Sequence, residues 1–530
     1  MKRYLLSSLF LISMSIHTWA APHAQPKKKD KWQIAVISDP HIQDTTHLRS
    51  MDDQLHSTRL FNENYFAFIA ALNDAAAKQI RWVLLSGDMT DNGQQLNIQL
   101  LHRILADYSA RYGMHFFAMT GNHDPSRPFT TNDSLGEMKC WGYQEIMDEL
   151  SDAGFYPRKE YIYWESPFSS YTYTNYSYDL AIAESGTTKR NYSWKNLKPH
   201  IPDASYLVEP VKGLWLLALD ASVYLPQKVV GDSIFSFGGA RVGYTQIFQE
   251  KPYLLPWIQK VTQEAKRQHK TLIAFSHYPM LDYNHGATGY IRKMAAPGGF
   301  DLERLPSPGI ADTLADAGIS LHFGGHIHLN DEAVHVSKKG NRLTNIQVPS
   351  TAGYIPAYKV VNIENGKVSA IETVVLDSVP SFNHFFGKYQ LEHDSLVSIG
   401  KKLVWDNAIL TSTNYKQFCA FHLKELVRLR YVNDFIPIVR EKFIAMTANE
   451  LFKSVGITCS KTMDWNGMDL LVDFFKLRFG GKLGKKEIQD SRLKEYQYLM
   501  KQAMTIEPKT ELEKFLHDFS NAFTLLLTDE

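Results

Sequence analysis

The run Leu84-Leu85-Ser86-Gly87-Asp88 is apolar and stops at a glycine followed by a carboxylate. Such an ending sets an acidic side chain at the carboxyl end of a strand, where α/β proteins assemble their sites. Four more runs end in the same manner. Ile34 to Ser38 leads into Asp39-Pro40-His41, and His115 to Thr120 into Gly121-Asn122-His123-Asp124. Leu272 to Ser276 leads into His277, and Ile319 to Phe323 into Gly324-Gly325-His326-Ile327-His328. Carboxylate, imidazole and amide at these strand ends are ligands for a metal ion with a second ion beside it. Asp88 is the candidate for the ligand the two ions share.

The spacing suits that chemistry. Asp39 and His41 sit two apart across a turn, so both can point at one ion. His326 and His328 alternate by two along an extended segment, which puts their rings on one side. Asn122 offers a neutral carbonyl oxygen beside Gly121, where the backbone can turn tightly. One carboxylate shared by two ions holds them roughly 3.5–4 Å apart, the separation of two-metal hydrolytic sites. A water bridging two such ions loses its proton more easily and becomes a nucleophile. His123, in the loop beside Asn122, can stabilise or protonate a departing group. Each motif alone is weak; the ordered set is not.

The strands that must carry these ends follow an α/β rhythm. Trp32–Ser38, Arg81–Ser86 and Met114–Met119 read as strands, separated by helices at about Thr58–Lys78 and Gln94–Arg111. The rhythm returns with a strand at Gly213–Asp220, a helix at Tyr253–Gln268 and a strand at Thr271–Ser276. A short helix at Ile310–Ala317 then precedes the strand that ends at His326 and His328. Glu332–Ser337, Arg342–Val348, Lys359–Ile363 and Val368–Val375 read as antiparallel strands closing a second sheet, with an Asn365-Gly366 hairpin.

With those residues in place the chain resembles the calcineurin-like metallophosphoesterases. The resemblance covers about Trp32 to Val375, apart from a tyrosine-rich insertion. It implies an α+β fold, a four-layer α-β-β-α sandwich, here followed by a mostly α-helical C-terminal domain. It also implies that Asp39, His41, Asp88 and His328 hold one divalent ion and that Asp88, Asn122, His277 and His326 hold the other. His123 would face the leaving group, with Asp124 orienting it. The purple acid phosphatase branch carries a tyrosine ligand where Asp91 stands here, so manganese, zinc or ferrous iron is expected rather than a ferric-tyrosinate centre. Asp91 is expected to orient a neighbour rather than to bind metal. Arg127, Tyr278 and His285 lie close in sequence to these residues and could touch substrate; each reads equally well as a loop residue.

The expected domains are a signal peptide at 1–20, a disordered lead-in at 21–31, the metallophosphoesterase domain at 32–378 and a helical domain at 379–530. Lys2 and Arg3 precede the apolar run Leu5 to Ile16, and Ala20 and Ala21 follow, the order of charge, apolar core and cleavage region in an export signal. The protein is therefore expected to be exported, periplasmic or secreted. No other stretch reads as a membrane span. The insertion at 125–212 carries Tyr161-Ile162-Tyr163-Trp164 and the alternating tyrosines of 171–178, which suggest short antiparallel strands. It serves either as a cap or as a sheet edge packed with tyrosines. In the helical region, Thr510 and Glu513 make a capping box ahead of the stripe Leu512, Phe515, Leu516, Phe519, Phe523 and Leu526.

Composition is that of an ordinary globular protein, 44% hydrophobic with formal net charge +1, which argues against general electrostatic binding of nucleic acid. Cys140, Cys419 and Cys459 match no metal motif; Cys419 and Cys459 could pair, or all three could be buried apolar residues. The expected function is an exported hydrolase that uses two divalent ions and the hydroxide bridging them, a phosphodiesterase before a nucleotidase-like phosphomonoesterase. Its substrate would be a nucleotide, a phospholipid head group or a glycan phosphate. A non-catalytic binding protein on the same scaffold would be expected to have lost ligands, and none is missing.

Overall fold

The computed structural model describes residues 31–132, 138–240 and 242–528. The expected signal segment and all but the last residue of the lead-in lie outside them. Three apolar runs form parallel neighbours: β1 (Lys31–Ile37), β2 (Trp82–Ser86) and β3 (His115–Met119). The chain returns between them through α1 (Asn64–Ala77) and α2 (Gln95–Tyr112). Helix α1 starts later than the apolar periodicity predicts. Residues before it are held in a loop, where the Leu60 N–H donates to Ala352 O at 2.7 Å and Arg59 reaches Asp91.

The second sheet begins with the insertion. Its strands are β4 (Tyr163–Glu165), β5 (Tyr206–Val211) and β6 (Leu214–Leu219). After α3 (Leu254–Arg267) come β7 (Thr271–Ser276), α4 (Pro308–Asp316), β8 (Leu321–Gly324), β9 (Asp331–Val336) and β10 (Arg342–Gln347). Their order is β9-β10-β8-β7-β6-β5-β4. Strands β6 to β8 are parallel and wholly or largely buried, the pattern of a sheet covered on both faces. This sheet faces the first through β7 against β2 and β6 against β3, while α2 packs on β3, α3 on β7 and α4 on β9 and β10. The result is the expected helix-sheet-sheet-helix sandwich.

Two expectations need correction. The last two strands, β11 (Ala357–Glu364) and β12 (Lys367–Val375), do not close the second sheet. They join the first, in the order β12-β11-β1-β2-β3, with Ala35 opposite Val360. Strand β11 is buried along nearly its whole length, which only a place inside a covered sheet provides. Strands β9 and β10 pair antiparallel as expected, and β10 runs parallel to β8 on its other side. The alternating tyrosines of 171–178 are not strands either: Tyr173–Asn175 is a 3-10 turn and Tyr178–Glu184 a short helix. Their alternation comes from packing over the edge strand. Tyr163 lies 4.9 Å from Tyr173, 5.1 Å from Tyr176 and 6.0 Å from Trp215, ring to ring.

Beyond β12 the chain is helical, with α5 (Phe386–Ser398), α6 (Tyr415–Leu429), α7 (Gly467–Gly480), α8 (Asp490–Ala503) and α9 (Glu511–Thr528). The capping box forms: Glu513 Oε2 accepts the Thr510 N–H at 3.0 Å, and Thr510 Oγ1 accepts the Glu513 N–H at 3.2 Å. The apolar stripe of α9 is buried against α7 and α8. Cys419 and Cys459 are free thiols and do not pair, and Cys140 is buried.

Helix α5 is anchored on the sandwich by a buried carboxyl. Glu63 Oε1 accepts from the Tyr389 hydroxyl at 2.6 Å, and Glu63 Oε2 has no partner. Burial, only partly offset by the tyrosine hydrogen bond, pushes the Glu63 pKa from 4.5 up to about 8. A raised folded-state pKa gives stability that is full below pH 4.5 and lost as the pH climbs through about 8. Glu63→Gln keeps an acceptor for Tyr389 and removes the titration. Melting curves across that window should be flatter in the variant, with the higher melting temperature at pH 8. A parallel pH slope in both proteins would assign the titration to another group.

Candidate metal centre

The strand ends converge on one point because their backbones turn sharply. Asp39, His41, Asp88, His326 and His328 all have positive φ, from 44° to 74°. Residues other than glycine seldom adopt this left-handed conformation, and it persists only where surrounding contacts enforce it. Those contacts are visible. The Asp39 N–H donates to Gly87 O at 3.1 Å, the His41 N–H to Asp88 O at 3.0 Å and the Gly325 N–H to His277 O at 2.8 Å. Two glycines permit the close approach: a Cβ on Gly121 would fall on the Asp88 carboxylate, and one on Gly325 on Ser38 Oγ and Asp39 Oδ2.

Two groups of donors result. In the first, His328 Nε2 lies 3.3 Å from Asp39 Oδ1 and 3.3 Å from His41 Nε2. In the second, His277 Nε2 lies 3.2 Å from Asp88 Oδ2, 3.1 Å from Asn122 Oδ1 and 3.1 Å from His326 Nδ1. Asp39, His41 and His328 have ligand atoms all within 4.8 Å of one another, and so do Asp88, His277 and His326. Asp88 Oδ2 is also 3.8 Å from His41 Nε2, so the carboxylate stands between the groups, as a shared ligand must. All seven predicted ligands are therefore brought together. Two pairs of imidazole nitrogens, His41 with His328 and His277 with His326, face each other at 3.3 and 3.1 Å beside carboxylate and amide oxygens, and one another's protons cannot satisfy them all. A mixed nitrogen and oxygen set of this kind fits divalent manganese, zinc or iron.

The electrostatics follow from burial and charge. Burial opposes a charge on His277, but Asp88 and Asp39 outweigh it and lift its pKa to about 9. Burial also raises the Asp88 carboxyl, yet His277 and His123 hold it well below the usual carboxylate range. His277 Nδ1 donates to Ser86 O at 3.2 Å, which turns Nε2 toward the cluster. Burial and then the Arg59 guanidinium bring His123 down to about 4.

The second row of residues differs from expectation. Asp124 does not orient His123. Its carboxylate accepts the Thr90 N–H at 2.9 Å and the Gly121 N–H at 3.4 Å, tying two ligand-bearing loops together. The ring of His123 is held by Asn92, whose Oδ1 is 2.9 Å from Nδ1. Asp91 pairs with Arg59 at 2.9 Å and Arg49 at 3.5 Å and lies 3.7 Å from His123 Nδ1, and its carboxylate, His41 and His123 also have ligand atoms within 4.8 Å of one another. Tyr278 packs its ring 4.5 Å from that of His326, His285 pairs with Asp331, and Arg127 donates to its neighbour's carbonyl, Ser126 O. None of the three lines the cavity over the cluster.

That cavity, of about 230 Å³, is walled by Thr58, Arg59, Phe300, Arg304, Arg430 and Arg478 among others. No described residue of the 125–212 insertion contributes to it; residues after 430 do. Sequence reading missed Asn92, Arg304, Arg430 and Arg478, since no local pattern marks them.

A family model described as calcineurin-like phosphoesterase matches residues 33–330. A comparison with curated proteins found no match. Among solved structures, a dimetal phosphatase from Danio rerio is 14% identical, with 65% of this chain and 98% of that one covered and a TM-score of 0.33. A 5'-nucleotidase precursor from Thermus thermophilus is 13% identical, covering 71% of this chain and 61% of its own, with a TM-score of 0.31. A purple acid phosphatase from yellow lupin, Lupinus luteus, is 9% identical over 66% of this chain and 55% of its own, with a TM-score of 0.34.

Proposed function

The chain belongs to the calcineurin-like phosphoesterase family, a family of metal-dependent phosphoric ester hydrolases with two divalent ions, and from that premise we propose that it is an exported phosphodiesterase. Asp39, His41, Asp88 and His328 would hold one ion, and Asp88, Asn122, His277 and His326 the other. Ions bound there supply Lewis acidity toward the phosphoryl oxygens and a more acidic water. The chain's own residues do the rest. Asp88 and the four imidazoles fix the donor atoms, and the buried ring of tied backbones keeps them from relaxing apart.

His123 carries the diester reading. Its Nδ1–H donates to Asn92 Oδ1, which leaves the Nε2 lone pair to take up a second proton once the anionic diester lies beside the ring, and to pass that proton to the departing oxygen. An alkoxide released from a diester needs that proton; a nitrophenolate does not. His123→Asn should lower kcat on an alkyl phosphodiester by about 10²–10⁴-fold, the usual worth of a positioned general acid, and far less on a nitrophenyl ester. An equal loss on both substrates would assign His123 to binding instead.

The assay for the reaction itself uses metal-stripped protein reloaded with manganese. An aryl phosphodiester should be preferred to an aryl phosphomonoester. Preference for the monoester would make the protein a phosphomonoesterase of the nucleotidase kind, and turnover of neither would favour a binding protein. Export is supported by Lys2 and Arg3 ahead of the Leu5 to Ile16 run. No helix among the described residues is long and apolar enough to cross a membrane. N-terminal sequencing of protein from the cell envelope should begin at Ala21.

A further inference from the structure

The wall of the cavity holds more positive charge than the ligand cluster uses. Arg59 is paired with Asp91, but three other arginines are not balanced in this way. Arg478 is 7% exposed, and among the described residues no carboxylate comes within ion-pair distance of it; its Nε donates to Asn284 Oδ1 at 3.4 Å. Its guanidinium is held over Phe300 at 5.5 Å and Phe479 at 5.7 Å. Arg430 likewise has no carboxylate partner among the described residues and lies over Tyr431 at 5.5 Å. Arg304 donates from Nη1 to His326 Nε2 at 2.7 Å, and its buried Nε has no hydrogen-bond partner, with Asp301 Oδ1 only at 3.8 Å. Asp301 and Asp434 also line the cavity, so these three arginines outnumber the acids beside them by one. Asp434 is occupied with the loop, its Oδ2 accepting the Phe300 N–H at 3.4 Å and its carbonyl the Ala296 N–H at 2.7 Å.

Burying three guanidinium groups against aromatic rings with only two carboxylates beside them leaves positive charge that a ligand can neutralise. The planar fork of arginine matches a phosphoryl group, and stacking on rings fixes it in advance. The supporting loop is itself constrained: Phe300 and Asp301 have φ of 62° and 50°, a conformation held by its contacts with Asp434. Two of the three arginines come from the helical region and the third from this loop docked on it.

We infer that Arg304, Arg430 and Arg478 form a second anion subsite beside the metal centre, and that the substrate is a phosphoester bearing a second phosphoryl group away from the scissile one. This deepens the proposed function and rests on its placing ester hydrolysis at the Asp88 cluster.

The test compares two competitors that cannot be hydrolysed, propylphosphonate and propane-1,3-diylbisphosphonate (the bisphosphate analogue), against hydrolysis of an aryl phosphodiester by the full-length, manganese-loaded protein. The bisphosphonate should inhibit at least tenfold more tightly. In Arg430→Gln and in Arg478→Lys that advantage should fall below threefold, because a charge-assisted pair to phosphate is worth about tenfold or more. Arg478 is buried and its variant is first checked by melting; if it does not fold, half-buried Arg430 decides alone. Equal inhibition by the two competitors, or an advantage that survives in the folded variants, overturns the subsite. Should the aryl ester not turn over, the fault lies with the proposed function. The same two competitors are then titrated by calorimetry, and the same ratios decide the subsite.

Discussion

Asp88→Ala is expected to lower metal-dependent turnover by at least about 10³-fold, since losing several kcal/mol of charge stabilisation in the transition state corresponds to a factor of that order. Asp88 belongs to the second donor group and also lies 3.8 Å from the Nε2 of His41 in the first. Its second oxygen, Oδ1, also accepts the His123 N–H at 2.8 Å, so the same substitution loosens the loop that carries Asn122 and His123. Elemental analysis after dialysis should show the variant retaining at most one ion per chain. A variant that keeps both ions and a tenth or more of its turnover would remove Asp88 from the shared position.

Lys251→Met should destabilise the fold by about 3–5 kcal/mol, the range for removing one partner of a buried ion pair. Lys251 is fully buried, with Nζ 3.0 Å from Asp203 Oδ2, 3.0 Å from Asp220 Oδ2 and 2.9 Å from Asp220 O. Burial works against its charge, but the two carboxylates outweigh that and raise its pKa. Tyr253 and Tyr143 donate to the same carboxylates at 2.7 and 3.0 Å, so the acids are committed to this place when the lysine is gone. Denaturant titration measures the loss. The triple variant with Asp203→Asn and Asp220→Asn should recover much of it, because it removes the stranded charges as well as the lysine. A single variant within about 1 kcal/mol of the parent would mean that the site hydrates freely.

The sandwich and the seven candidate ligands it brings together were legible for one physical reason. Each ligand directly follows an apolar β run, most with a neighbouring glycine or proline, and both period and punctuation are local properties of sequence. What escaped was decided between distant segments. Asn92 rather than Asp124 holds His123, because Asp124 is drawn to the N–H groups of Thr90 and Gly121, and nothing near either residue in sequence announces that. The partner of β11 was misplaced for a similar reason: an apolar strand followed by Asn-Gly predicts a hairpin, but not which sheet the hairpin joins. Tyrosines at alternate positions in 171–178 imitate a strand because rings can pack over a sheet edge from a turn as well as from an extended chain. Arg430 and Arg478 lie in a region whose helical periodicity describes packing alone.

The left-handed turns leave their mark on how this protein can vary over time. Chemistry is written between residues 39 and 328, in positions where the backbone itself is pinned and nearly any exchange breaks the centre. Much of the far wall of the cavity is written from residue 430 onward, on helical segments and their ends whose side chains take no part in the donor cluster. Heritable changes in the ester accepted can thus accumulate in the second stretch while the first stands still, and relatives with the same centre can diverge in diet without any change in reaction.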